Sequence, residues 1–386
     1  MANSLLTIDM ITRKSLEILE NNLVISRNCN RQYDDSFAVQ GAKIGSTLRI
    51  RLPDRALVTD GAALQVQDDN EQYTTLSVAS QKHIGINFTS AELTMQLDDF
   101  AERVLKPRIS QLASSIDADV ATAYKSIYNS VGTPGTTPGT SLVLLQAQQK
   151  LNEFATPMSP RYATVNPAAN AGLVEGMKGL FNPTDTVSRQ FKNGMMGTGV
   201  LGFDEINMSQ SIGMHTTGAW GTTITSTGTL STQGQATLPI SFTGSSKTWK
   251  QGDVFTIAGV YAVNPQTRQS TGSLQQFVVT ADLTASSTGT LSISPAIYTA
   301  DHALATVDSF PQATAVVTML GSASTQYAQN LSYHKDAITL ATADLLLPQG
   351  VDMASRQTHN GISMRIVRQY DINNDRMPCR VDVLYG

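Results

Sequence analysis

Two hydrophobic periods alternate along this chain and divide it into segments. Near the start, Leu5, Leu6, Ile8, Met10, Ile11, Leu16, Ile18 and Leu19 are interrupted by charges, as on an amphipathic helix. From about residue 46 the period drops to two. In TLRIRLPDR, Leu48, Ile50 and Leu52 alternate with Arg49 and Arg51, and TTLSVASQKHIGINF places Leu76, Val78, His83 and Ile86 at strand-like positions. Between these runs lies the polar stretch VTDGAALQVQDDNEQ, with a turn signal at Asp60-Gly61. Residues 46–89 therefore predict a β-hairpin with a long projecting excursion, although periodicity alone fits an ordinary surface hairpin equally well.

Helical spacing takes over across 90–130. Leu93, Leu97, Phe100 and Val104 are followed by Ile109, Leu112, Ile116, Val120, Ala123, Tyr124 and Ile127, three and four apart throughout. Pro107 has no amide hydrogen to donate, so it kinks this run or opens a second helix at its first position. The second reading gives a helix of about 23 residues from Pro107, roughly 35 Å long at 1.5 Å per residue. The breakers of VGTPGTTPGTS end it. LVLLQAQQKLNEF predicts another amphipathic helix over 142–154, and 162–165 reads as a short buried strand. Asn166-Pro167 then supplies the N-cap and first position of a helix running to about Phe181, and VLGFDEINMS returns to strand over 200–209.

Past residue 216 the charges nearly vanish. Up to about 325 they are Lys247, Lys250, Asp253, Arg268, Asp282, Asp301 and Asp308, amid abundant Thr, Ser and Gly. Short β-runs recur as TLPISF, DVFTIAGVYAV, QQFVVTA, TLSISPAI and ATAVVTML, which predicts a small barrel or sandwich set inside an α+β host. Beyond it, AITLATADLLL reads as strand and GISMRIVRQYDINNDRMPCRVDVLYG as a closing hairpin. There Met364, Ile366 and Gln369 alternate with Arg365, Val367 and Tyr370, and the turn lies at Asn373-Asn374-Asp375.

Composition narrows the function classes. The chain has 386 residues, 41% of them hydrophobic, enough for a sizeable core, while charged residues are only 15%. A low-charge, hydroxyl-rich surface suits extended polar contacts between subunits, although extracellular β-proteins share that composition. The net charge of −4 leaves no basic footprint for specific nucleic-acid binding. Cys29 and Cys379, far apart in sequence, make no disulfide framework and fit a reducing cytoplasm. The N-terminus lacks the unbroken apolar stretch of a signal peptide, and no run of eighteen apolar residues predicts a membrane span.

Catalytic equipment is not expected. Gly197-Thr198-Gly199-Val200-Leu201-Gly202 matches G-x-G-x-x-G, but RQFKNGMM before it is not an apolar strand and FDEINMS after it alternates like one. A glycine-rich turn between strands explains it better than a dinucleotide site. His83, His215, His302, His334 and His359 are scattered without metal-ligand spacing, so no metal or cofactor is expected. The acidic pairs Asp68-Asp69 and Asp98-Asp99 read as solvated faces, and Cys29 in SRNCNRQ has no neighbouring base.

The order of elements resembles the HK97-like capsid fold, with its N-arm, E-loop, spine helix, P-domain and A-domain. More specifically, the chain resembles the P22-like coat protein family. The matching segments are DDFAERVLKPRISQLASSIDADVATAY, RYATVNPAANAGLV, VLGFDEINMS, KTWKQGDVFTIAGV, HKDAITLATADLLLP and RVDVLYG, in that order over nearly the whole chain. The resemblance implies an N-arm (1–45), an E-loop (46–89), a spine region (90–131), a P/A-domain core (132–215), an inserted all-β domain (216–328) and a return with C-terminal strands (329–386). It makes the charged E-loop residues Arg51, Asp54, Arg55, Asp60, Asp68, Asp69 and Glu71 candidates for a subunit interface. Removing the insertion leaves about 275 residues, a plausible size for such a core.

What the resemblance implies about function is a major capsid protein of a tailed double-stranded DNA phage, forming hexamers and pentamers of an icosahedral shell. It implies a separate scaffolding protein and a portal protein, leaves a decoration protein open, and implies enclosure of DNA without sequence-specific binding and without a membrane. In one place the chain departs from the pattern. TSTGTLSTQGQAT is short and uncharged where the protein that names the family carries a longer charged loop, so charged bridging between capsomers is not expected here. An encapsulin-like compartment shell remains an alternative, though encapsulins lack such an insertion. A β-rich glycan-binding phage or secreted protein is a second, and a hydrolase comes last.

Overall fold

The computed structural model describes residues 8–31, 47–53, 55–59, 61–64, 66, 72–88, 106–177, 198–228, 230–359, 361–372 and 376–386. Four α-helices occur among them: α1 (Ile8–Asn22), α2 (Lys106–Ala121), α3 (Ser141–Glu153) and α4 (Pro167–Met177). The strands begin with β1 (Thr47–Arg51), β2 (Tyr73–Ser77), β3 (Ser80–Phe88), β4 (Arg161–Val165), β5 (Thr198–Val200), β6 (Phe203–Met208) and β7 (Met214–Thr216). There follow β8 (Thr222–Ser226), β9 (Gln235–Thr243), β10 (Lys247–Trp249), β11 (Val254–Val263), β12 (Ser270–Val279), β13 (Leu283–Ala285), β14 (Thr288–Ile297) and β15 (Val317–Met319). The series closes with β16 (Gln326–Ala328), β17 (Leu331–His334), β18 (Met353–His359), β19 (Ile362–Arg368) and β20 (Met377–Tyr385). Two compact units result: Met1–Pro53, Asn70–Val120 and Lys335–Gly386 form the first, and Asp54–Asp69 with Ala121–His334 form the second.

In the first unit, an antiparallel sheet runs in the order β18-β19-β20-β3. The amphipathic α1 packs on β18 and β19 and buries Leu16 and Leu19, as the charge-interrupted apolar pattern predicted. The second half of the predicted hairpin is two strands. β2 pairs with β1, while β3 lies along all of β20, from Phe88 opposite Met377 to Ser80 opposite Tyr385. Helix α2 buries the predicted stripe of Ile109, Leu112, Ile116 and Val120.

That helix is shorter than predicted. It covers 16 residues, about 24 Å at 1.5 Å per residue, and continues only as a 3-10 helix over Thr122–Ser126. Downstream of Ala121 the stripe loses its buried face, since Ala123, Tyr124 and Ile127 are only half-buried. With no buried side chain in Thr122–Ser126 to hold the wider α-turn, and with β-branched Thr122 at the junction, the ladder tightens to i→i+3 bonds. Residues 90–105, which carry the upstream half of the pattern, lie outside the described residues.

The expected strand at AITLATADLLL does not form. The segment is extended, but it changes partner within a few residues: Asn30 bridges Thr339, and Thr342 bridges Tyr385. Ala341 and Gly386 exchange two backbone bonds of 3.0 and 2.9 Å, and Ala343 N donates to Leu384 O at 3.0 Å. Alternating burial is thus satisfied by hydrogen bonds handed from the N-terminal segment to the chain end, without one continuous ladder. Conversely, β18 (MASRQTH) was not expected, because its polar sequence lacks the apolar alternation of a strand; α1 covers it.

The second unit contains two hydrophobic clusters. One packs α3 and α4 on a sheet ordered β17-β4-β6-β5, around Leu144, Val165, Leu173 and Phe203. Asn166 caps α4, its Oδ1 accepting from Ala169 N at 2.8 Å, with Pro167 in the first turn as expected. Residues 178–181 of the predicted helix lie outside the described residues. The other cluster fills a six-stranded sheet ordered β15-β11-β12-β14-β9-β8, around Trp249, Phe255, Phe277 and Leu291. This sheet curls until Thr225 bridges Val316 and Ser226 N donates to Ala315 O at 2.9 Å, making a near-closed barrel. All five predicted β-runs are in it.

Candidate assembly surface

The hairpin base is a regular antiparallel ladder from Thr47 opposite Ser77 to Arg51 opposite Tyr73, extended by Leu52 N donating to Gln72 O at 2.9 Å. Its inner face, Leu48 and Leu76, packs against a small core of Val78, Ala341, Leu345 and Leu384. On its outer face the Arg49 guanidinium sits over the Tyr73 ring, 4.8 Å from the centroid, a diagonal cross-strand pair. Alternation thus anchors one face of the ribbon and leaves the other, with Arg51, in solvent.

Of the charged interface candidates, Arg51 ends β1 and is exposed, and Arg55 is exposed in the segment that clusters with the second unit. Asp54, Asp60, Asp68, Asp69 and Glu71 lie outside the described residues. The apolar side chains of the same excursion were missed as candidates. Val58, Leu64 and Val66 are 92%, 89% and 84% exposed, and Leu52 and Tyr73 at the ribbon end are exposed as well. One exposed leucine is ordinary, but five large apolar side chains within 52–73 mark a segment that gains by being covered. The signal was already in VTDGAALQV, whose leucine and valines have no second strand to pack on. In the first unit Leu346 and Ile372 are also largely exposed.

Helix α2 is tied to its surroundings by two carboxylates. Asp117, 1% exposed, accepts from the backbone N–H groups of Val24 (2.7 Å), Ile25 (3.3 Å) and Ser26 (3.0 Å) and from Ser26 Oγ (2.5 Å). Asp119 accepts from Lys82 Nζ on β3 at 2.7 Å and from the Tyr385 hydroxyl on β20 at 2.5 Å. Burial would raise the Asp119 carboxyl, yet the bonds from Lys82 and Tyr385 outweigh it and hold it below the usual range. For Tyr385, burial first, then the hydrogen bond to Asp119 and its charge, push the phenol well up. In this way α2, the N-terminal segment and the C-terminal sheet form one framework.

Groups capable of chemistry are placed otherwise. Gly202, at φ +77°, turns β5 back on β6 as an antiparallel hairpin with Val200 opposite Phe203, so a strand and not a helix follows the glycine pattern. Burial pushes the thiol of Cys29 up to about 12 and that of Cys379 up to about 11, leaving both as protonated, unreactive core residues. His215, one of the five scattered histidines, sits between two polar side chains. It is buried, with Nε2 3.0 Å from Asp253 Oδ1 and Nδ1 3.2 Å from the Tyr124 hydroxyl. Among the described residues, no group of three His, Cys, Asp or Glu side chains could hold a metal, and no helix is long and apolar enough to cross a membrane.

Comparison with known proteins gives one match that spans the chain. The model of the family described as P22 coat protein, gene protein 5, matches residues 1–386. No curated protein matches. Among solved structures, one from Mycobacterium phage Che8 is 12% identical over 94% of this chain and 86% of its own, with a TM-score of 0.46. The asymmetric unit of the bacteriophage PhiM1 mature capsid is 11% identical over 90% and 79%, with a TM-score of 0.39. The CUS-3 coat protein I-domain is 28% identical over 26% of this chain and 96% of its own, with a TM-score of 0.21. These likenesses are distant, and the full-length family match carries the assignment. The chain belongs to the P22 coat protein family and is a phage major capsid protein, a virion component that assembles with copies of itself into a shell.

Proposed function

We propose that the subunit forms hexamers and pentamers of an icosahedral shell around packaged double-stranded DNA, and that residues 52–73 supply the principal contact with a neighbouring copy. The core is read as HK97-like, with the barrel of 216–328 as an inserted domain and a role that is structural and not catalytic. The observation that carries the contact is the exposed Val58, Leu64 and Val66 on a segment whose base is firmly anchored. An anchored base with an apolar tip delivers its hydrophobic residues to a partner at little conformational cost. α1 has already buried Leu16 and Leu19 within its own unit, so it is a poorer candidate for reaching a neighbour.

Contacts of this size are individually weak, and closure of a shell multiplies them through effective concentration. The net charge of −4 favours enclosure of DNA without sequence-specific binding. Assembly is placed in the host cytoplasm, with a separate scaffolding protein and a portal protein as partners, and the two unpaired cysteines suit that compartment. Deleting 54–71 tests the reading: the shortened chain is expected to give the far-ultraviolet circular dichroism of a folded subunit, yet no shells by negative-stain microscopy. Shells that close normally without these residues would refute the role given to the segment.

A further inference from the structure

The two hydrophobic clusters of the second unit are separate, and the chain passes between them twice, in β7 and β16. Among the described residues these strands pair with each other alone, His215 lying opposite Tyr327. A two-stranded ribbon is a weak stalk, free to twist and bend unless something braces it. Hydrogen bonds supply the brace. Tyr124, in the 3-10 turn after α2, meets His215 Nδ1 at 3.2 Å, and His215 Nε2 meets Asp253 Oδ1 at 3.0 Å. The buried Asp253 also accepts from Gly218 N at 3.1 Å and Lys250 N at 2.7 Å. Close approach is required here, because a Cβ on Gly252, whose φ is +101°, would lie 3.1 Å from the His215 ring and 3.3 Å from that of Tyr124.

A second brace lies alongside. The Gln276 side-chain amide on β12 accepts from Ser130 N at 2.8 Å and donates to Ser130 O at 2.9 Å, copying one rung of a β-ladder. We propose that the Tyr124–His215–Asp253 chain and the Ser130–Gln276 clasp are an orienting lock, which fixes the angle of the barrel on its stalk so that the barrel moves with the segment of residues 122–130. Directional bonds in a desolvated site resist rotation, which a patch of apolar contacts does not. They add little to the barrel's own stability, which rests on its separate core. The lock's consequence for shells depends on the capsid reading above, whereas its existence does not.

Hydrogen exchange of the full-length subunit, read by mass spectrometry, tests it with Tyr124→Phe and Gln276→Ala combined. The first removes one hydroxyl and keeps the ring; the second removes the clasp. Exchange across 127–132 and 214–218 should rise at least about tenfold, the loss of roughly one net hydrogen bond. Protection across 254–279 and 161–165 should be unchanged. Unchanged exchange in both neck segments would overturn the lock. Lost protection throughout 254–279 would also overturn it, showing that these side chains hold the barrel together and do not orient it. In microscopy of the same variant, mis-sized or open particles are expected, and normal uniform shells would overturn the lock's part in assembly. A wild-type chain that makes no shells refutes the capsid role and leaves the exchange result standing.

Discussion

Removing the Asp117 carboxylate probes the framework around α2 most sharply. Four donors converge on it: three consecutive backbone N–H groups and the Ser26 hydroxyl. Arg31 Nη2 holds the same turn from outside, through the Ser26 carbonyl at 2.9 Å. Asp117→Ala leaves these donors without an acceptor in a site closed to water, at about 1–3 kcal/mol for each buried unsatisfied group. The turn can relax and admit water, so the sum is taken as about 3–5 kcal/mol and not the full total. Asp117→Asn keeps one oxygen acceptor but turns an amide donor toward N–H groups and exchanges charged for neutral bonds, costing about 2 kcal/mol. Amide exchange at Val24, Ile25 and Ser26 reads this directly: one factor of ten per 1.4 kcal/mol predicts acceleration of about a hundredfold or more for Ala and about thirtyfold for Asn. Unchanged protection in Asp117→Ala, or equal effects of the two substitutions, would refute the view that a buried carboxylate organises this segment.

Further outcomes follow from the same contacts. Gly176→Ala places a Cβ 1.9 Å from the Gly139 carbonyl oxygen, so the loop before α3 must leave α4, and a loss of at least about 2 kcal/mol should appear in denaturant unfolding. Asp382 is fully buried; burial would raise its carboxyl, but the bonds and charges of Arg365 and Arg380 outweigh it and hold it below the usual range. Its stabilisation is therefore complete above the unfolded-state value of about 3.9 and is lost as pH falls through the lower folded one. Stability measured across that acid range should fall less steeply in Asp382→Asn. Substituting Val58, Leu64 and Val66 together by Ser should leave subunit stability within about 0.5 kcal/mol, because they are exposed. The same change should raise the concentration needed for shells by at least about tenfold, since burying each such side chain contributes about 1.5–3 kcal/mol.

Much of this was legible in the chain because hydrophobic period and turn residues act locally. The stripe from Ile109 to Val120, the Asn166-Pro167 helix start, the barrel's five β-runs and the strand nature of the glycine pattern all follow from short-range rules. What failed depends on distant partners. The C-terminal end of α2 is set by where burial stops, and AITLATADLLL forms no strand because its partners lie at residues 30 and 384–386. The polar β18 is a strand because α1 covers it. His215 looked like a lone histidine, since Tyr124 and Asp253 are 91 and 38 residues away. The strands of the ribbon base lie where alternation predicted them, and charge drew attention to Arg51, Arg55 and their neighbours; an apolar residue such as Val58 joins the candidates only once its exposure is known.

A cryo-electron microscopy reconstruction of particles assembled from the full-length chain tests the central claim most directly. The account predicts a closed shell in which Val58, Leu64 and Val66, 92%, 89% and 84% exposed in the lone subunit, are buried against a neighbouring copy. A shell that leaves these three side chains in solvent, or a chain that yields no shells at all, would contradict it.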